Sequence, residues 1–279
     1  MSFGLGSKFV SNIPLAEYLN TIASEFRTVE LHADPRALSP YFTFNTAQKQ
    51  AIRIYQDRYK FSLTMHAPFG DCRLGAVIRE ERQIAYNKIL TSMQLASELH
   101  IKLITFHPCL LSPEESYPEM ARWEEESIAG LLKEAKKLGQ TLLLENMPGN
   151  PAYHQSATDG SRFQELLWMF PESEFGLTID VGHALHAKIP IDSLLKMDRI
   201  RHFHFHENDR TADQHFPITT NLRWWSKTIK KISEMFPNTS AILEMKKLDE
   251  QIKSLNTLKP YLKKQPVNRR KRLPIRLDL

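Results

Sequence analysis

Six short apolar runs in this chain carry, at or just past their C-terminal end, a side chain able to bind a metal or move a proton. Met65 is followed by His66, Phe106 by His107, Leu144 by Glu145 and Ile179 by Asp180; His204 lies within Ile200–Phe205, and Glu244 follows Leu243. Imidazoles and carboxylates are the usual ligands of zinc, manganese and magnesium, and a poised carboxylate also serves as a general acid or base. One histidine or glutamate at a strand end is more often a satisfied hydrogen-bonding group. Six at equivalent positions are different, because burying them together without a cation is strongly unfavourable.

Three further candidates lie just beyond these runs: His183, in Asp180-Val181-Gly182-His183, and the pair Asp213 and His215 in Asp213-Gln214-His215. His202, His204 and His206 alternate, so a strand would turn all three to one face. His202, the deepest, reads as a core or supporting histidine. His204 is the expected ligand, with His206 as a substrate contact or alternative ligand. Glu30 and His32 close an earlier run and are candidate substrate contacts.

The elements that must position these groups recur along the chain. Eight β-rich apolar runs stand out: Phe3–Leu5, Val29–Leu31, Phe61–Met65, Leu103–Phe106, Thr141–Leu144, Leu177–Ile179, Ile200–Phe205 and Ala241–Leu243. Helical patterns lie between them over Ile78–Leu99, Tyr117–Leu138, Phe163–Phe170 and Leu222–Met235. Strands alternating with helices imply βαβ units and a parallel sheet. A doubly wound sheet shares that grammar but would not gather six strand ends around one point, whereas a (β/α)8 barrel builds its site there. A single TIM barrel over residues 1–262 is therefore expected, followed by a basic C-terminal tail, 263–279.

Composition narrows the setting. No run approaches a membrane span, the N-terminus lacks signal-peptide character, and Cys72 and Cys109 are too few for a disulfide framework, so a cytoplasmic protein without membrane association is expected. The net charge of +5 is local: from Lys263 onward seven basic residues face one acidic residue, leaving the body at −1. A nucleic-acid surface spread over the barrel is not indicated. No phosphate loop or dinucleotide fingerprint is present.

His66-Ala67-Pro68-Phe69, His107-Pro108, Glu145-Asn146-Met147, Asp180-Val181-Gly182-His183, His204-Phe205-His206-Glu207-Asn208-Asp209 and Asp213-Gln214-His215-Phe216-Pro217 together resemble the xylose isomerase-like TIM-barrel superfamily. Its members include sugar isomerases and epimerases, and endonuclease IV. The epimerase resemblance implies one divalent metal on Glu145, Asp180, His204 and Glu244. Glu145 and Glu244 would then exchange a proton with opposite faces of the substrate carbon, and Arg210 would bind substrate. The endonuclease IV resemblance implies up to three zinc ions on His66, His107, Glu145, Asp180, His183, His204, Asp213, His215 and Glu244, with abasic DNA as substrate. Pro108-Cys109-Leu110-Leu111 and Val181-Gly182 depart from the nuclease pattern, and Thr219-Thr220-Asn221 replaces a Gly-Glu-Gly segment. The expected function is a metal-dependent isomerase or epimerase of a sugar, sugar phosphate or polyol, using manganese, zinc or magnesium. The alternatives are the zinc phosphodiesterase and a barrel that binds metal and ligand without turnover.

Overall fold

A computed structural model describes residues 1–6, 26–33, 46–70, 72–149, 154–170 and 173–261. All eight apolar runs are strands: β1 (Ser2–Gly6), β2 (Thr28–His32), β3 (Ser62–His66), β4 (Leu103–Phe106), β5 (Thr141–Glu145), β6 (Phe175–Asp180), β7 (Ile200–Phe205) and β8 (Ser240–Leu243). Each pairs in parallel with the next, and β1 pairs with β8, so the sheet closes into a barrel in sequence order. The described helices are α1 (Thr46–Tyr59), α2 (Arg79–Glu98), α3 (Tyr117–Leu138), α4 (Gln155–Asp159), α5 (Ser161–Met169), α6 (Val181–His186), α7 (Ile191–Leu194), α8 (Leu222–Met235) and α9 (Leu248–Leu258). The tail from Lys263 lies outside the described residues, and no described helix is long and apolar enough to cross a membrane.

Strand alternation sorts the two faces of the sheet. On β7, Phe203 packs against Phe236 and Phe205 against the fully buried Trp225, while His202, His204 and His206 are buried on the other face. On β2, Glu30 and His32 are likewise buried, in alternation with Val29 and Leu31. The apolar residues make the barrel-to-helix layer; the polar ones line the interior.

Helix boundaries follow local chemistry. Pro118 sits in the first turn of α3, and Gly139 ends that helix in the left-handed region at φ 65°. Gly160, at φ 87°, separates α4 from α5, which therefore starts at Ser161, two residues before the sequence pattern indicates.

A buried ion pair ties the segment after β4 to its neighbours. Glu124 of α3 accepts the Cys109 N–H at 2.6 Å and two bonds from Arg162 of α5, at 3.1 and 3.0 Å. Burial pushes the Cys109 thiol up to about 12, so it stays protonated and unreactive at neutral pH. Removing one partner of a buried pair strands the other charge, so Glu124→Ala is expected to lower stability by about 3–5 kcal/mol. Urea unfolding checks this, and a loss below about 1 kcal/mol would place the pair among the weak, solvent-screened ones.

Candidate metal centre

Barrel closure brings the four residues of the central set together. Glu145 ends β5, Asp180 ends β6, His204 lies on β7 directly opposite Asp180 in register, and Glu244 follows β8. One donor atom from each lies within 4.8 Å of all the others, and all four side chains are buried. His204 Nδ1 is the common point, 2.9 Å from Glu145 Oε1, 3.7 Å from Glu244 Oε1 and 3.9 Å from Asp180 Oδ2.

Local structure aims these atoms. Asp180 caps α6, its Oδ1 accepting the His183 N–H at 2.6 Å, which leaves the buried Oδ2 without a hydrogen-bond partner among the described residues. Asn146 locks β5 to β6: its Oδ1 accepts the Asp180 N–H at 2.7 Å and its Nδ2 donates to the Asp180 carbonyl at 2.9 Å. His183, on the first turn of α6, is thereby turned back over the barrel mouth.

Glu145 faces a second group with its other oxygen. Oε2 lies 3.2 Å from His66 Nε2 and 3.1 Å from His107 Nε2. A third group sits at the rim, made by His183, His206, Asp213 and His215. Asp213 Oδ2 is 3.3 Å from His183 Nε2 and 3.2 Å from His215 Nε2, while Oδ1 is 3.5 Å from His206 Nε2. The loop carrying Asp213 and His215 is pinned at its neck. Glu207 and Phe216 exchange backbone hydrogen bonds of 2.9 and 2.7 Å, and Trp225 Nε1 donates to Glu207 Oε2 at 2.6 Å. Gly182 is required here, because a Cβ would lie 2.3 Å from the His206 ring.

Three of the imidazoles share one orientation. Nδ1 of His66 donates to the Ala67 carbonyl at 2.8 Å, that of His183 to the Asn146 carbonyl at 2.7 Å, and that of His215 to the Glu244 carbonyl at 2.7 Å. A carbonyl only accepts, so each Nδ1 carries the hydrogen and each Nε2 is the inward atom, the arrangement by which outer partners prepare histidine ligands.

Charge balance in the site is tight. Burial disfavours the Glu145 carboxylate, yet His204, His107 and His66 hold it well below its ordinary value. Asp180 is held low in the same way, against its burial, by His183 and His206. Burial pushes His107 and His32 down to about 4, leaving both neutral and able to act as ligands. His204 is driven the other way: Glu244, Glu145 and Glu30 outweigh its burial and raise it well above the ordinary value. Three buried carboxylates, a partnerless Asp180 Oδ2 and imidazole nitrogens turned inward fit a divalent metal well.

Every sequence-predicted ligand is therefore drawn into one contiguous cluster. His204, rather than His206, joins the central set; His206 belongs to the rim and touches Asp180 Oδ1 at 3.3 Å. His32 lies 3.2 Å from Glu244 Oε1 and stacks on His66. Glu30 lies deeper, against His202 and His204. Arg210 is exposed and lines a side pocket with Val181, Leu185, Lys188 and Trp224, whose lining includes none of the ligand residues. The positioning roles of Asn146 and Glu207 are additional to those read from sequence. Their only sequence signal is adjacency, Asn146 to Glu145 and Glu207 to His206.

The structure is a closed parallel (β/α)8 barrel with carboxylate and imidazole groups clustered at its C-terminal mouth, and the family follows. Residues 21–262 match the xylose isomerase-like TIM barrel family, to which the chain belongs. It is 26% identical over 225 residues to an uncharacterised protein of Methanocaldococcus jannaschii, covering 74% of this chain and 72% of that one. Among solved structures it is similar to a D-tagatose 3-epimerase-like protein, with a TM-score of 0.80 and 22% identity over 94% of this chain and 97% of the other. It is also similar to the IolI protein with a bound zinc atom, with a TM-score of 0.69 and 14% identity over 94% and 96% of the two chains.

The rim makes a pH prediction. Burial opposes charge on His183, but Asp180, Asp213 and Glu145 outweigh it and raise its pKa from 6.5 to about 10. A raised histidine contributes its full stability below its unfolded pKa and loses it as pH climbs through the folded one. Chelator-treated protein should therefore lose melting temperature between pH 7 and 10, by roughly 2–4 °C for each kcal/mol surrendered. His183→Asn should flatten that slope; an unchanged slope in the variant contradicts the assignment.

Proposed function

We propose that this chain is a metal-dependent isomerase or epimerase acting on a sugar, sugar phosphate or related polyol. The observation that carries this reading is the placement of two buried glutamates, Glu145 and Glu244, on strands well separated around the barrel, both beside His204 Nδ1 at 2.9 and 3.7 Å. The similarity to a D-tagatose 3-epimerase-like protein supports the substrate class, and the zinc-bound IolI relative supports a divalent ion. Glu145, Asp180, His204 and Glu244 hold the ion, which is manganese, zinc or magnesium. When bound, it stabilises negative charge developing on a substrate oxygen beside the reacting carbon.

The chain's own groups supply the rest. One glutamate removes the proton next to a carbonyl or hydroxyl, and the other returns it from the opposite face. Depression of the Glu145 pKa by its three histidines keeps it ionised, the form a base must have. His66 and His107 on one side and His206 on the other present ring nitrogens to substrate hydroxyls. His32 and Arg210 complete the proposed substrate contacts. Barrel residues 1–262 form the catalytic unit in a cytoplasmic enzyme, with the basic stretch 263–279 as an appended tail.

A second reading has its own observation. Glu145 turns one oxygen to each of two ligand groups, and the rim supplies a third, which is the full nine-residue set of a zinc phosphodiesterase resembling endonuclease IV and acting on abasic DNA. Elemental analysis of protein purified without chelator separates the two, with one divalent ion per chain expected for the isomerase and three zinc ions for the nuclease.

The direct test is exchange. A ketohexose incubated with the enzyme in deuterium oxide should gain deuterium at the carbon beside its carbonyl. Glu145→Gln or Glu244→Gln should each slow that exchange by about 10²–10⁴-fold, the usual contribution of a positioned acid or base. A barrel that binds metal and ketohexose yet exchanges nothing would be a binder without turnover.

A further inference from the structure

His204 is oriented oppositely to its neighbours. His66, His183 and His215 point Nε2 inward and rest Nδ1 on a backbone carbonyl, whereas His204 presents Nδ1 to Glu145, Asp180 and Glu244. Its Nε2 faces down the barrel and meets Glu30 Oε1 at 3.0 Å. That contact is a close approach of two buried atoms, neither of which makes an aligned hydrogen bond with any described residue, so each has only the other to face.

The other oxygen of Glu30 is held by hydrogen bonds. Oε2 accepts the Thr64 hydroxyl at 3.0 Å and lies 3.0 Å from His202 Nε2, while His202 Nδ1 is 2.6 Å from Ser240 Oγ. Glu30 of β2 and His202 and His204 of β7 are all fully buried. An ionised carboxylate only accepts, so every group facing Glu30 must present a hydrogen: the Thr64 O–H, the His202 Nε2–H and the His204 Nε2–H. With Nε2 protonated, a neutral His204 has its lone pair on Nδ1, aimed at the central set.

We propose that Glu30 is a positioning residue that fixes His204 as an Nδ1 metal ligand, in place of the substrate contact its strand-end position implies. Through His202, Ser240 and Thr64 the barrel interior holds the carboxylate, the carboxylate holds the ring, and the ring presents its lone pair. Such an outer carboxylate also raises the basicity of the ligand it supports. The inference rests on the metal reading above.

Zinc affinity of the full chain, measured by competition with a chromogenic chelator, tests it. Glu30→Gln can donate its amide hydrogen to His204 Nε2 and so favour the wrong tautomer. It should weaken zinc about 10–100-fold, the range typical of lost outer-shell partners, while Glu30→Asp recovers part of the loss. A folded Glu30→Gln protein binding zinc within twofold of the unaltered chain overturns the inference and leaves the metal reading standing. Unaltered protein that binds no zinc overturns both. Nitrogen NMR of the unaltered, zinc-loaded protein needs no folded variant. The His204 ring should show zinc on Nδ1 and a retained, downfield Nε2–H; zinc on Nε2 overturns the assignment.

Discussion

Four buried carboxylates inside one barrel set the terms for the rest of this structure. Glu30, Glu145, Asp180 and Glu244 are all buried, where an unpaired anion is severely unfavourable. The protein answers with imidazoles packed between the acids and with hydroxyl, amide and backbone groups behind them. Thr64, Asn146 and the carbonyls of Ala67, Asn146 and Glu244 all take part in that second layer. Strand alternation makes this possible, since one face of β7 is aromatic and insulating while the other is a row of histidines.

Glu145 is the hub because its two oxygens look in different directions. Oε1 belongs with His204, and Oε2 with His66 and His107. Asp180 divides its oxygens similarly, Oδ1 to the α6 cap and to His206, Oδ2 to the central set. Each carboxylate therefore couples two parts of the site.

Much of this was legible in the sequence. All eight strands coincide with the apolar runs to within about two residues, because a buried barrel strand reads as a compact β-rich stretch whatever surrounds it. The long helices α2, α3 and α8 were legible for the same reason of periodicity. The single-turn α6 and α7 were not, since one turn is too short to display a repeat. Period two places both His204 and His206 on the inner face; the sequence favours His204 without excluding His206, and depth along the barrel, set by the pairing of Asp180 with His204, separates them. Glu30 at a strand end looked like His66 or Glu145 in sequence. Its partners His202 and Thr64 come from two other strands, and no local pattern announces them.

The neck formed by Glu207 and Phe216 separates two kinds of anchoring. Asp213 and His215 ride on a loop held by that bridge, by Trp225 on Glu207 and by the His215 contact with the Glu244 carbonyl, whereas Glu145, Asp180 and His204 lie on the strands themselves. Strand pairing closes the barrel without passing through the loop, so the outer residues are a module mounted on a chassis that is complete without them.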